Sequence, residues 1–183
     1  MSNLAKQKIR IPKNITVKIT NNDMHLQGPL GFLSIPLKVK VLIEENNVIV
    51  SSKVISHETQ GDSILESKAL QGTLISLIKQ SFTGLIFGFR KRLNLVGVGY
   101  KAQLIKNILE LKIGYSHVCE IEVPNTLKIF CPKPTSIFIW GVNKQEVYNF
   151  AALIRSYKVP EPYKGKGILY QDEKVILKEG KRS

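Results

Sequence analysis

The chain contains few of the residues that usually carry catalysis or hold metals. Among its 183 residues are two cysteines, three histidines and one tryptophan. Cys119 and Cys131 form no CxxC pair and the histidines are scattered, so no metal site is expected. Two cysteines without a secretory segment fit a reducing compartment, and residues 1–11 lack the apolar stretch of a signal peptide.

Acidic residues are scarce as well. Asp and Glu total 14 against 27 Lys and Arg, which gives a formal net charge of +13. Such a one-sided charge causes self-repulsion in the folded state, and a bound polyanion would offset it. Nucleic acid is the first candidate and an anionic membrane the second. Because Lys, Gly or Ser interrupts each apolar run within about ten residues, no membrane partner is expected.

Apolar residues nevertheless make up 43% of the chain, which excludes general disorder and allows a proper core. Their pattern occurs twice. Ile35-Pro36 corresponds to Val123-Pro124, and Val39-Lys40-Val41 corresponds to Leu127-Lys128-Ile129 at the same offset. In both copies a turn and a further apolar strand follow, so the pattern indicates an internal duplication.

Each copy begins with a predicted hairpin and ends with a predicted helix. The hairpin turns are Asn21-Asn22-Asp23 and Lys106-Asn107, each between two short apolar strands. Ser63-Ile64-Leu65-Glu66 has the pattern of a capping box and opens the first helix, whereas Asn143 opens the second and Pro160 stops it. The apolar faces of the two helices are Leu70, Leu74, Leu77, Ile78 and Phe82, and Val147, Phe150, Ala151, Ile154 and Tyr157.

The sequence therefore predicts an α+β fold of two tandem duplicated domains, each an antiparallel-rich sheet packed on one helix. Unrelated αβ units can share such patterns, and that alternative stays open. The predicted domains are residues 1–82, interpreted as a packing platform, and residues 83–183, which carry a basic loop and tail. Gly84 and Gly88 bracket Leu85-Ile86-Phe87, which we interpret as a short linking strand.

A glycine motif, Gly97-Val98-Gly99-Tyr100-Lys101-Ala102, formally matches the dinucleotide-binding fingerprint. That fingerprint requires a strand that leads into a helix, and here the residues after Gly99 alternate like a second strand. A helix directly after Gly99 would support a dinucleotide-dependent enzyme. The acidic pairs Glu44-Glu45 and Asp172-Glu173 have no nucleophile or histidine nearby in sequence, so neither an enzyme nor a cofactor is expected.

A basic loop lies near the carboxyl end, at Pro160-Glu161-Pro162-Tyr163-Lys164-Gly165-Lys166-Gly167-Ile168. Gly165 and Gly167 lack a Cβ, so the main chain there can approach a ligand closely, while the prolines stiffen the approach. Lys164 and Lys166 supply positive charge for phosphates. The alternative is a solvated basic turn without a ligand.

Further basic residues cluster in the same half of the chain. They are Arg90, Lys91, Arg92, Arg155, Lys158, Lys174, Lys178, Lys181 and Arg182. Tyr157, Tyr163 and Tyr170 lie among them in sequence and could stack on bases or pack on sugars. Because lysine neutralises phosphate as a point charge, a lysine-rich loop favours contact with an RNA backbone over base reading.

The chain resembles the large-ribosomal-subunit protein six family in two segments, Leu93 to Ala102 and the Pro-Glu-Pro-Tyr-Lys-Gly-Lys-Gly of the loop. Together with the internal duplication, the resemblance covers almost the whole chain. It implies a non-catalytic structural component of the large subunit that binds large-subunit rRNA chiefly through its C-terminal domain. Val159 stands where bacterial members usually have a second basic residue. Carried over by position, the RNA-binding residues are Tyr163, Lys164, Gly165, Lys166 and Gly167, with Lys101, Arg155 and Lys158 as further candidates.

The same resemblance implies neighbouring ribosomal proteins at the base of the acidic-protein stalk, near the sarcin-ricin loop where translation GTPases dock. A free-standing RNA-binding or RNA-chaperone module is the alternative function. The frequent Ile, Lys and Asn and the segment Phe130-Cys131-Pro132-Lys133-Pro134 resemble organelle-encoded members. A mitochondrial ribosome in the matrix is therefore expected, with the plastid stroma or the bacterial cytoplasm as alternatives.

Overall fold

The computed structural model describes residues 8–20, 22–54 and 64–179, and the chain divides between Gly88 and Phe89 into two compact units. The first unit consists of β1 (Ile9–Arg10), β2 (Thr16–Ile19), β3 (Asp23–Gly28), β4 (Gly31–Pro36), β5 (Val39–Glu44), β6 (Asn47–Val54) and α1 (Ile64–Phe87). The second consists of β7 (Phe89–Val96), β8 (Lys101–Ile105), β9 (Ile108–Lys112), β10 (Cys119–Glu122), β11 (Leu127–Lys133), β12 (Ser136–Gly141), α2 (Lys144–Ser156) and β13 (Gly167–Tyr170).

Both units share one strand order. In the first, β5-β6-β1 form one antiparallel sheet and β2-β3-β4 another; in the second, β11-β12-β7 and β8-β9-β10 repeat them. The second unit adds β13 beside β7. The α+β class and the duplicated architecture are confirmed, and in the described ranges the strands of each unit form two sheets where one was expected.

Both predicted hairpins are present as antiparallel pairs, β2 with β3 and β8 with β9. Lys106 occupies the second turn with a φ of +54°. The neighbouring Asn107 side chain donates a hydrogen bond to the Val123 carbonyl at 2.7 Å, which ties the turn to the end of β10. Asn21 of the first turn lies outside the described residues, as does Ser63 of the predicted capping box.

Helix α1 continues through Gly84 to Phe87, so the predicted linking strand is wrong. Leu85 is fully buried and packs on Gly28, where an added Cβ would lie 2.8 Å from the Leu85 Cβ. That packing outweighs the cost of a glycine inside a helix, about 1 kcal/mol. Gly88 then ends the helix with a φ of +71°, and the first unit extends past residue 82 to this point.

Helix α2 has the predicted start, face and end. The Asn143 side-chain oxygen accepts the Gln145 N–H at 3.0 Å, which satisfies one of the free donors of the first turn. Its apolar face packs into a core shared with both sheets of the second unit. The buried residues of that face are Val147, Phe150, Ala151 and Ile154. After α2 the chain enters the basic loop and returns as β13, so buried elements hold both ends of the loop.

Candidate nucleic-acid interface

The basic loop is closed by its own backbone. Three hydrogen bonds cross it, from the Ile168 N–H to the Lys158 carbonyl (2.9 Å), from Glu161 N–H to Lys166 carbonyl (2.9 Å) and from Gly165 N–H to Glu161 carbonyl (3.1 Å). Tyr163 is 60% exposed and Lys164 is exposed beside it. The closed backbone therefore holds an aromatic ring and a cation in water, where a ligand can reach both.

The two loop glycines have different reasons to be glycine. Gly165 has a φ of +65°, a left-handed conformation that L side chains rarely adopt. Gly167 is buried, and a Cβ there would lie 2.5 Å from the Pro160 Cα. Gly167 thus makes a close main-chain approach to Pro160 and shapes the loop from inside.

An open groove of about 610 Å³ runs beside the loop. Its cations are Lys158, Lys164 and Lys166, set against the carboxylate of Glu161, so the charged side chains of its lining are net positive. Four tyrosines form its aromatic lining, and they are Tyr100, Tyr115, Tyr157 and Tyr163. The groove thus combines phosphate-neutralising charge with rings that can stack on bases, the combination that single-stranded nucleic acid sites use.

Tyr115 fixes one of these lysines in place. The Lys158 ammonium nitrogen lies 4.5 Å from the centre of the Tyr115 ring, a cation–π contact. The Tyr115 hydroxyl donates to the Tyr157 carbonyl at 2.9 Å, so the ring is tied to the end of α2. Tyr163 is the most exposed ring of the groove and is the best placed to stack on a base.

The glycine motif builds the floor of this groove. Gly99 has a φ of +77°, and the next element is strand β8, so the helix that a dinucleotide site requires is not formed after it. A Cβ on Gly97 would lie 2.8 Å from the Tyr100 ring. Tyr100 is 8% exposed and lines the groove. The motif therefore makes room for an aromatic ring, and the strand predicted after Gly99 is confirmed.

The segment after β13 folds back over the loop. The Lys178 N–H donates to the Pro162 carbonyl at 2.8 Å. Arg155, in the last turn of α2, donates two hydrogen bonds to the Glu173 carboxylate, at 3.2 and 2.5 Å. The same guanidinium lies 5.4 Å from the centre of the Tyr170 ring. Arg155 therefore binds the protein's own tail, and a second role toward phosphate would have to use its remaining N–H groups.

The Glu173 carboxylate is held ionised by this arrangement. The side-chain hydrogen bond from Arg155, the hydrogen bond from the Tyr170 N–H at 3.1 Å and the nearby positive charge lower the pKa of Glu173 below its ordinary value, and partial burial opposes them. The side chain retains 24% exposure. The pair consequently stabilises the tail through the neutral range of pH.

The family model described as "Ribosomal protein L6" matches residues 96–171, which include the groove. A protein from Mycoplasmoides gallisepticum named "Large ribosomal subunit protein uL6" is 42% identical over 99% of this chain and 97% of its own length. The proteins of that name from Cupriavidus necator and Bordetella pertussis are 42% and 40% identical over 100% of this chain and 99% of their own lengths. The chain belongs to the L6 family of ribosomal proteins. The family resemblance inferred from the sequence is confirmed.

The L6-family relatives named above are bacterial. They agree with the bacterial alternative and give no support to a mitochondrial location. L6 is a ribosomal protein family, consistent with a structural role. Within the described residues, no three of the His, Cys, Asp and Glu side chains are grouped so as to hold a metal ion. None of the helices in the described ranges is long and apolar enough to cross a membrane.

In this L6-family chain the groove gathers part of the predicted set. Tyr163, Lys164, Lys166 and Lys158 line it together. Lys101 is exposed on β8 but is not part of the lining. Sequence reasoning missed Tyr100 and Tyr115 as groove residues, because long-range folding brings them to the loop. An aromatic residue in the turn Gly114-Tyr115-Ser116 was the one local signal for the latter.

Proposed function

We propose that this protein is a structural constituent of the large ribosomal subunit and that it binds rRNA through the groove beside residues 158–167. The observation that carries the proposal is the convergence of three lysines and the exposed Tyr163 on one groove of an L6-family chain. The lysines neutralise phosphates of the RNA backbone, and Tyr163 stacks on a base or packs on a sugar. The net charge of +13 favours association with a polyanion of this kind.

Two details of the groove support backbone recognition. Lysine ammonium groups act as point charges with three donors, so they tolerate many phosphate positions. Lys158 is already held over Tyr115, so less side-chain entropy is lost when it binds. The groove therefore suits contact with the phosphate backbone of folded rRNA, and such contact recognises the positions of the phosphates and not the base sequence.

The family resemblance guides the finer part of the proposal. The protein would lie at the base of the acidic-protein stalk, near the sarcin-ricin loop, with other large-subunit proteins as neighbours and translation GTPases docking nearby. The first unit, residues 1–88, would be a packing platform for neighbouring RNA or protein. The second unit would hold rRNA segments in register, without catalysis. A bacterial-type ribosome is the assembly in which we place it.

Sedimentation of a tagged protein tests this function. A lysate washed with high salt is separated on a sucrose gradient, and retention at one copy per large subunit is expected. Lys158→Ala/Lys164→Ala/Lys166→Ala should move the protein toward the top of the gradient. The matched control Lys13→Ala/Lys18→Ala/Lys40→Ala removes the same charge from exposed positions of the first unit and should leave retention unchanged.

The contrary results are equally specific. If the unsubstituted protein remains at the top of the gradient, the ribosomal role is wrong and a free-standing RNA-binding module takes its place. If both triple variants lose retention equally, total charge and not the groove controls binding. Circular dichroism of each variant establishes that its fold is intact before either result is read.

A further inference from the structure

A second surface of the second unit has the composition of a nucleic-acid site, and none of its residues lines the groove. It lies on the outer face of the sheet β11-β12-β7. Its cations and rings are Arg90, Arg92, Lys128, Phe130, Phe138 and Trp140, and Asn94 and Ser136 lie beside them. The residues that alternate with them, among them Leu93, Ile137 and Ile139, are fully buried in the core. The outer face thus points away from the core shared with α2.

The strand register places cations beside aromatic rings on this face. Arg92 lies opposite Phe138 and Arg90 opposite Trp140 across β7 and β12. Lys128 lies opposite Trp140, and Phe130 opposite Phe138, across β11 and β12. The Arg92 guanidinium carbon is 5.0 Å from the Phe138 ring centre, and the Lys128 ammonium is 5.6 Å from the Trp140 ring.

These side chains are accessible and partly held in place. Phe130 is 57% exposed, Arg90 and Lys128 are exposed, and the Phe138 and Trp140 rings are half-buried. The Arg92 Nε donates to the Ser136 hydroxyl at 3.0 Å, which orients the guanidinium along the sheet. A cavity of about 340 Å³ adjoins the face, and its lining includes Arg90, Arg92, Phe138 and, as its one carboxylate, Asp172.

Three aromatic rings on an outward sheet face need an explanation, because an outward face of a sheet is ordinarily polar. Rings separated by cations on a sheet match the requirements of unpaired RNA, whose bases stack on aromatic side chains while its phosphates meet Lys and Arg. A protein partner would favour an apolar centre with few charges. Three cations lie on this face, and no carboxylate stands among Arg90, Arg92, Asn94, Lys128, Phe130, Ser136, Phe138 and Trp140.

We propose that the outer face binds an unpaired stretch of RNA, with bases stacked on Phe130, Phe138 and Trp140 and phosphates neutralised by Arg90, Arg92 and Lys128. This site shares no residue with the groove, so the protein would hold two RNA segments at once. Arg90 and Arg92 lie outside the segment that the family model matches.

Trp140 is the one tryptophan of the chain, so its fluorescence reports on this face directly. The full-length protein is titrated with a single-stranded oligouridylate of about ten nucleotides, and with an RNA duplex of the same length. The single strand should quench Trp140 saturably and the duplex should not. Phe130→Leu/Phe138→Leu should weaken single-strand binding about tenfold or more, because each lost stacking contact has an effect of that order.

Two further variants separate this site from the groove. Phe32→Leu/Phe87→Leu makes the same chemical change at rings of the first unit that are 83% and 75% exposed, and should leave quenching unchanged. Lys158→Ala/Lys164→Ala/Lys166→Ala should retain quenching while it loses ribosome retention, so failure of the groove and failure of the outer face give different results.

Several outcomes would overturn the proposal. The first is that single-stranded RNA fails to quench Trp140 fluorescence saturably. The second is that the two phenylalanine double variants change this quenching equally. The third is that the groove variant abolishes the quenching while Phe130→Leu/Phe138→Leu leaves it intact. If isolated large-subunit proteins quench Trp140 fluorescence and RNA does not, the outer face binds a protein partner. Circular dichroism of every variant, together with the retained groove function of the two phenylalanine variants, excludes misfolding as the cause.

Discussion

Gly167 and Gly99 both have positive φ, at +151° and +77°, yet they differ in what surrounds them. A Cβ at Gly167 would meet the Pro160 backbone at 2.5 Å, whereas a Cβ at Gly99 would meet nothing within 4 Å. Backbone atoms cannot move aside as a flexible side chain can. The sequence shows a glycine at each position, but only the folded loop shows which one is also sterically required.

We expect Gly167→Ala to lower the free energy of unfolding by about 2 to 4 kcal/mol, through overpacking and backbone strain together. Gly99→Ala should cost about 1 kcal/mol, since it introduces backbone strain without a clash. Urea unfolding of the two variants, followed by circular dichroism, measures the difference. Equal losses would show that the loop yields at Pro160.

The pairing of Arg155 with Glu173 predicts a pH dependence. Because the folded-state pKa of Glu173 is lowered, its stabilising effect is fully present above the ordinary glutamate pKa, about 4.3, and is lost as the pH falls through the lowered folded value. Glu173→Gln should therefore reduce the free energy of unfolding at pH 7, by about 1 kcal/mol. The gap between wild type and variant should therefore close as the pH falls below the ordinary glutamate pKa and through the lowered folded pKa of Glu173, and a gap that stays constant with pH would contradict this role.

At the scale of elements, the local sequence pattern was sufficient to predict a helix or strand wherever the element buries one face and has capping or stop residues at its ends. Helix α2 has an N-cap at Asn143, an apolar stripe and a proline beyond its end, and the structure agrees with all three. Helix α1 runs past its predicted end because Leu85 packs on Gly28, a contact between residues far apart in sequence. Strand β13 was missed because three of its four residues are buried, so it shows no alternation.

Gly72 offers a test of α1 as a continuous helix. It lies inside α1, and a Cβ there would meet nothing within 4 Å. Gly72→Ala should raise the free energy of unfolding by about 0.5 to 1 kcal/mol, because alanine loses less conformational entropy in a helix. Thermal unfolding checks the sign, and a loss of stability would mean that another group covers this position.

At the scale of the whole molecule, the groove was predictable where its residues are neighbours in sequence and unpredictable where they are not. Tyr163, Lys164 and Lys166 share one loop, so their type and spacing indicated the site. Tyr115 and Tyr100 reach the groove through the packing of β8 and of the turn before β10. Arg155 fitted the cluster of basic residues in the second half of the chain equally well, but only the fold shows that its partner is Glu173.

The salt dependence of RNA binding measures how many of these cations act together. Lys158→Ala/Lys164→Ala/Lys166→Ala should reduce the slope of log affinity against log salt by about 2, since each neutralised phosphate contributes about 0.7 to 0.9. Val159 is 57% exposed on the groove, so Val159→Lys should raise the slope by about 0.7. Binding of an rRNA fragment measured at several salt concentrations gives both values. An unchanged slope in the triple variant would remove the groove from the interface.

The backbone bond between Lys178 and Pro162 also sets an order of events during biosynthesis. A ribosome makes residues 160–167 before it makes residues 173–178, which brace them, and the first unit can fold earlier still. While the chain is still incomplete, the loop therefore lacks the hydrogen bond from Lys178. The RNA-binding site proposed above is therefore complete only when synthesis of the chain has passed Lys178.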